Sequence, residues 1–323
     1  MTRYARQQAV IGAEAQARLA KASVLVVGAG GLAAPVLQYL AGAGVGSLRV
    51  VDADVVSLSN LHRQTLFRAD QVGIPKVIAV QEALSGLNPD VRIIAEQAAL
   101  MPANADVLCD GATVVLDCAD SFAVSYILSD VCKDRGIPLI SASVSGTDGY
   151  VGGFCGGKPS LRAVFPDLPE RLGSCAVEGV LGPVVGVIGS LQAQMALTVA
   201  AGDPTPLGQI TTFDAAGQRF GGFRFDTAPE PDRQAVFIDP DALRADDWLV
   251  DLRGAEEAPL VHPDARRLTV DAFGPDGPVP EAGQRAVLCC KSGLRAWTAA
   301  QRLSLVWQGE IALIALPDFP NNS

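Results

Sequence analysis

The sequence predicts an α/β fold, an open and mostly parallel sheet flanked by helices, followed by a smaller α/β unit. Three observations carry this expectation. A short apolar run at 23–27 ends in the turn Gly28-Ala29-Gly30-Gly31, then passes through a helically spaced segment into a second apolar run closed by Asp52 and Asp54. That is the order of a βαβ unit. Apolar runs and helical segments then keep alternating, as in a doubly wound sheet. Past a polar, Pro-containing stretch at 226–234, the alternation restarts at Trp248 and again at Ala286.

Taken in order, residues 2–22 suit one opening helix with charges spaced along it. Residues 23–27 form a strand, 34–44 a helix and 47–52 a second strand ending in acids. Helical spacing at 76–87, a strand at 91–95, a buried strand at 113–117, a helix at 125–135 and a strand at 137–144 continue the pattern. Residues 181–201, rich in Gly and Ala, read as a helix that packs closely on its neighbours. These elements divide the chain into a first domain at 1–226, a linker at 227–236 and a second domain at 237–323.

Composition narrows the class of function. Of 323 residues, 49% are apolar and 19% charged, which indicates a globular chain with a large core. A net charge of -10 argues against nucleic-acid binding, which relies on Lys and Arg to neutralise phosphates. The start of the sequence lacks a basic and apolar leader, and the apolar stretch 180–201 is interrupted by Pro183 and several Gly, so no membrane segment is expected. Seven cysteines in a chain of this length do not form a disulfide framework. A reducing, cytoplasmic setting is the expectation.

Gly28 and Gly30 follow a strand and precede a helix, where glycine lets backbone N–H groups approach phosphate and the helix N-terminus adds positive potential. Ala33 takes the third position of that pattern, and Asp52 stands where an acid accepts hydrogen bonds from ribose hydroxyls. These features alone suit NAD and ATP equally. Hydride transfer also needs an acid such as His or Tyr, and the chain has only His62 and His262, which disfavours an oxidoreductase.

The stretch from Asp52 through Asn60-Leu-His62-Arg63-Gln64 to Gly73-Ile-Pro-Lys76 resembles the ThiF/MoeB/HesA family of adenylyltransferases related to ubiquitin-activating enzymes. So do the opening Arg3-Tyr-Ala-Arg6-Gln, the run Asp117-Cys-Ala-Asp120-Ser121 and the segment from Cys175 to Ala193. The resemblance implies a Rossmann-like ATP-binding domain that adenylylates the C-terminal Gly-Gly carboxylate of a small ubiquitin-like sulfur-carrier protein. Gly28, Gly30 and Gly31 would cradle phosphate, with Asp52 and Asp54 on the ribose side. Asn60, Arg63 and Lys76 match polar and basic groups around the triphosphate, and Arg6 matches an arginine that reaches the partner subunit's nucleotide in a homodimer. Asp120 matches the acid that holds Mg²⁺, and Cys175 the crossover-loop cysteine. The sequence departs from the family in two places. Ser121 replaces a common Asn. The first pair of zinc cysteines falls on Ser160 and Ala163, and the second has no counterpart at 217–224, so no structural zinc is expected and Phe213, Phe220 and Phe223 would hold that region by packing.

The second unit resembles a short rhodanese domain through residues 238–257 and the loop Cys290-Lys291-Ser292-Gly293-Leu294-Arg295. Such a loop between strand and helix points its N–H groups at one sulfur, and with Lys291 and Arg295 would favour a thiolate or persulfide supplied by a donor such as a cysteine desulfurase. Cys289 alternates to the opposite side of the strand. The His262 segment and the chain end follow the rhodanese pattern only loosely, which leaves a carrier-binding scaffold with a non-catalytic second module as the alternative reading.

Overall fold

The computed structural model describes residues 3–167 and 179–316. It contains an eight-stranded sheet in the order β3-β2-β1-β4-β5-β6-β7-β8 and a separate five-stranded sheet in the order β11-β10-β12-β13-β9. The first five strands of the larger sheet are parallel: β1 (Ser23–Val27), β2 (Ser47–Val51), β3 (Arg92–Glu96), β4 (Val114–Asp117) and β5 (Pro138–Ser145). An antiparallel extension follows in β6 (Asp148–Cys155), β7 (Gln209–Asp214) and β8 (Arg219–Arg224), which the sequence had not revealed. Its strands carry Gly149, Gly152, Gly153, Gly221 and Gly222, which dilute the alternation that marks a strand.

The opening segment forms two helices rather than one, α1 (Ala5–Ile11) and α2 (Ala13–Leu19). Gly12 between them adopts φ 84° and ψ 161°, a conformation glycine reaches without steric cost. Helix α3 (Ala33–Ala43) ends at left-handed Gly44, and α4 (Lys76–Leu87) begins right after Pro75. Helices α5 (Pro102–Cys109) and α6 (Phe122–Arg135) lie on one face of the sheet with the short α7 (Leu161–Val164) beside α6. On the other face, α8 (Gly182–Ala200) packs on α3 and on β4, β5 and β6. By length and composition α8 is apolar enough to cross a bilayer, yet over half of it is buried here, which marks a core helix. A Cβ on Gly189 would meet Leu32 O at 2.5 Å, so the two helices pack backbone to backbone.

The smaller sheet is entirely parallel and includes β10 (Trp248–Asp251), β12 (Ala286–Cys290) and β13 (Ile311–Ala315), with short edges β9 (Val236–Phe237) and β11 (Arg266–Arg267). Helix α9 (Leu294–Ser304) covers the face turned toward the first sheet. One continuous core joins the sheets, with Trp297 and Phe237 packed on Phe122 and Tyr126 of α6. The stretch read as a linker is tied down in several places. Asp226 pairs with Lys158 at 2.7 Å and with Arg224 at 2.7 Å, and Glu230 accepts from Ser160 and Lys133. The latter contacts also show what occupies the first zinc-pair position: the Ser160 hydroxyl caps α7 through Ala163 N–H and reaches Glu230 at 2.5 Å. Of the three phenylalanines expected to brace the region, Phe213 stacks on Phe220, whereas Phe220 and Phe223 are themselves largely exposed.

Candidate active site

The strand order reverses direction between β1 and β4, and in open α/β sheets the crevice at such a switch point is where ligands bind. Both strands deliver a turn there. Gly28 leaves β1 at φ 90°, and a Cβ on it would lie 2.7 Å from the Cys118 carbonyl, so only glycine lets the two turns approach this closely. A Cβ on Gly31 would meet Val185 at 2.8 Å, whereas Gly30 has room, its nearest neighbour being Gln64 Nε2 at 3.7 Å. The first turn of α3 has no side-chain cap, so its N–H groups face the crevice as anion donors.

Asp52 closes over this turn. Its carboxylate accepts the Ala29 and Asp54 N–H groups, each at 2.7 Å, which fixes it at the end of β2. Lys76, only 4% exposed, opens α4 with its ammonium 2.8 Å from Asp54 and 4.0 Å from Asp52. A buried ammonium held between carboxylates, beside the glycine turn and the uncapped start of α3, is placed to receive a phosphate. Asn60 ends a single 3₁₀ turn, and its Oδ1 accepts from Arg63 at 2.8 Å. Arg63 and Gly31 line a cleft of about 1020 Å³ together with His62, Tyr39, Gly182 and Pro183. Asp120 sits exposed on the turn after β4. Gly28, Gly30, Gly31, Asp52, Asp54 and Lys76 are thus gathered at the ends of β1 and β2, with Asp120 at the end of the adjoining β4, and Asn60 with Arg63 form the wall beside Gly31. Arg6 lies exposed on α1. Cys175 lies outside the described residues.

Sequence reasoning missed Asp117 and Gln64. Asp117 is buried, accepts the Ser141 hydroxyl at 2.7 Å, and burial pushes its carboxyl up to about 6. Gln64 is 4% exposed beside Gly30, and its Oε1 is buried without a hydrogen-bond partner. Both stand inside quoted motifs, yet burial is a tertiary property that no motif spells out.

The second site differs from its expectation. Cys289 and Cys290 do alternate to opposite faces of β12, but both are fully buried. The N–H of Ala296 donates to Cys290 Sγ at 3.4 Å. Arg295 is held by both Glu257 oxygens at 2.7 Å and by Leu252 O at 2.9 Å. The Glu257 hydrogen bonds raise the Arg295 pKa against the opposing effect of burial. Burial pushes the Cys289 thiol up to about 12, which keeps it protonated. The sulfur is thus covered while part of its loop is not: Gly293, at φ 86°, is buried beside Phe237, whereas Lys291 and Ser292 are exposed. His262 stays on the surface, 3.7 Å from Asp264.

The model of the ThiF family matches residues 4–235, which contain the whole switch-point site. The chain belongs to the ThiF family. It is 38% identical over 235 residues to the SAMP-activating enzyme E1 of Haloferax volcanii, covering 71% of this chain and 87% of that protein. It is 45% identical to the adenylyltransferase and sulfurtransferase MOCS3 of Sus scrofa, covering 66% of this chain and 48% of the relative. The chain thus spans about half the length of its MOCS3 relatives. Among solved structures, E. coli MccB with ATP superposes with a TM-score of 0.62 at 20% identity over 70% of this chain and 72% of that one, a likeness of fold. The ThiF family match stops just short of β9, where the second sheet begins.

Proposed function

We propose that this ThiF-family chain adenylylates the C-terminal Gly-Gly carboxylate of a small ubiquitin-like sulfur-carrier protein. The observation that carries the reading is the meeting at one switch point of the Gly28 turn, Asp52, the buried Lys76 and Asp120. An oxygen of the carrier carboxylate attacks the α-phosphorus of ATP, the bond to the bridging oxygen breaks, and pyrophosphate leaves with the electron pair. The carboxylate is already ionised at neutral pH, so no general base is required. What the step requires is stabilisation of charge on the phosphates. Here the α3 N–H groups and Lys76 face the phosphates, Asp52 holds the ribose, and Arg63 lies beside them on the Gly31 wall. The exposed carboxylate of Asp120 suits Mg²⁺, which when bound neutralises phosphate charge. Arg6, exposed on α1, would reach the nucleotide of a second copy in a homodimer.

The Haloferax relative is named for activating SAMP, and the MOCS3 relatives for adenylyl and sulfur transfer. For this chain we extend the proposal to thiocarboxylate formation, with Cys290 taking sulfur from a donor such as a cysteine desulfurase and Cys175 as a second thiol. A specific observation favours the second reading, a scaffold whose C-terminal module is non-catalytic: Cys290 has no accessible surface.

ATP–pyrophosphate exchange with ubiquitin-fold proteins ending in Gly-Gly tests the proposal. Carrier-dependent exchange is expected, reduced at least about 100-fold in Asp120→Ala and retained in Cys290→Ala. No exchange with any such carrier would sink the adenylylation reading. If thiocarboxylate forms equally well with Cys290→Ala, the second module is a scaffold.

A further inference from the structure

Asp120 stands on the turn at 118–120, and that turn is gripped from both faces of the sheet. On the α8 face, Gln192 is fully buried in a helix whose other buried residues are all apolar or glycine. Its Nε2 donates to Asp117 O at 2.8 Å and to Ile140 O at 3.0 Å, joining the end of β4 to the interior of β5. Its Oε1 accepts from Cys118 Sγ at 3.3 Å. With two carbonyl acceptors at Nε2 and a thiol at Oε1, these partners fix which way the Gln192 amide faces.

On the α6 face, the Asp117 carboxylate accepts the Ser141 hydroxyl of β5 at 2.7 Å and the Ala119 N–H at 3.2 Å. Gln192 holds the Asp117 carbonyl while Ser141 and Ala119 hold its side chain, so neither the end of β4 nor the turn can move alone. A buried amide loses free energy on desolvation unless its partners are in place. Methionine would fill the same space without that cost, so what the amide adds is geometry.

We propose that Gln192 and Asp117 are positioning residues that clamp the 118–120 turn from the two faces of the sheet and thereby fix Asp120 for adenylylation. The proposal rests on the role given to Asp120 above. Neither residue touches the nucleotide crevice itself, so their substitution alters turnover while the Gly28 and Asp52 contacts with ATP persist.

The test is ATP–pyrophosphate exchange by the full chain, with a ubiquitin-fold carrier ending in Gly-Gly that supports wild-type exchange. Gln192→Met is expected to lower kcat about 10- to 100-fold, the scale of a misplacement near 1 Å, with KM for ATP changed less than about twofold. In an Asp120→Ala background the same substitution is expected to add nothing further, because its effect passes through Asp120. Cys118→Ala loses the thiol donor and part of the rate, and Cys118→Ser recovers most of that part. These pairs, with Ser141→Ala, serve if Gln192→Met fails to fold. A folded Gln192→Met enzyme with wild-type kcat overturns the clamp, as does an unchanged rate in both Cys118→Ala and Ser141→Ala. A wild type without carrier-dependent exchange overturns the adenylylation reading instead, and the clamp falls with it.

Discussion

Two places in this chain share one local design, a parallel strand that runs through a left-handed glycine into a helix. The turn from β1 to α3 carries Gly28 at φ 90°, and the loop from β12 to α9 carries Gly293 at φ 86°. Around Gly28 the neighbouring connections diverge, because the strand order reverses beside it, and the turn stays open with Asp52 and Lys76 at its rim. Around Gly293 the ring of Phe237 and the start of α6 lie close, and Cys290 is buried in one core with Phe237 and Trp297, although Lys291 and Ser292 stay exposed. A strand–glycine–helix turn thus becomes a binding site only where tertiary neighbours leave its end uncovered. Helix α6 begins two residues after Asp120, so it has the nucleotide crevice proposed above at its N-terminus and the cysteine loop near its first turn.

The contrast is broken most directly at the two glycines. Gly28→Val adds a Cβ 2.7 Å from the Cys118 carbonyl in a left-handed conformation. It should abolish ATP binding by calorimetry and cost about 1–3 kcal/mol from backbone strain alone. Gly293→Ala should leave ATP binding intact while loosening the loop against Phe237. Retained ATP binding in Gly28→Val would move the nucleotide away from this turn.

A smaller effect is expected from Arg162, which is 2% exposed. It pairs with Asp130 at 2.6 Å and lies 5.1 Å from the ring centroids of both Tyr126 and Trp297, bracing α6 against α9. In Arg162→Ala, alkylation of Cys290 by iodoacetamide, followed by peptide mass spectrometry, should quicken about tenfold as local opening becomes easier. Equal rates in wild type and variant would show that the seal does not depend on this contact.

The smallest effect concerns pH. Burial raises Asp117 from 3.8 to about 6, so between these values the folded chain holds a proton that the unfolded chain has lost. Stability contributed by this group is complete below pH ~4 and declines as pH rises through ~6. Asp117→Asn removes that decline, so denaturant unfolding of wild type and variant at pH 4 and pH 7 should differ in slope, with the variant relatively more stable at pH 7. Together with slower exchange, this would mark Asp117 as kept for geometry at a cost in stability. Parallel slopes would place the carboxyl in a wetter setting than the structure shows.

Much of the first site was legible because it depends on short-range patterns. The spacing of Gly28 after an apolar run, Asp52 at the next strand's end and Lys76 at a helix start survives without any knowledge of packing. The helix at 76–87 emerged with its expected limits, while the single opening helix failed at Gly12, whose positive φ ends one helix and starts another. The antiparallel strands β6 to β8 were hidden by their glycines. Gln192 was invisible for another reason: one polar residue in an apolar helix reads as noise until the carbonyls of Asp117 and Ile140 are brought to it from 75 and 52 residues away.

By itself the sequence determined the α/β alternation, the glycine turn, the acids and bases around it and the membership of the ThiF family, since each is written in contiguous residues. Only the tertiary structure decided that Cys290 is buried, that Asp117 is buried, and that the turn bearing Asp120 is held from both faces. Those outcomes depend on which distant surfaces come into contact and exclude water, and burial of that kind is a property of the assembled core rather than of any local string of residues.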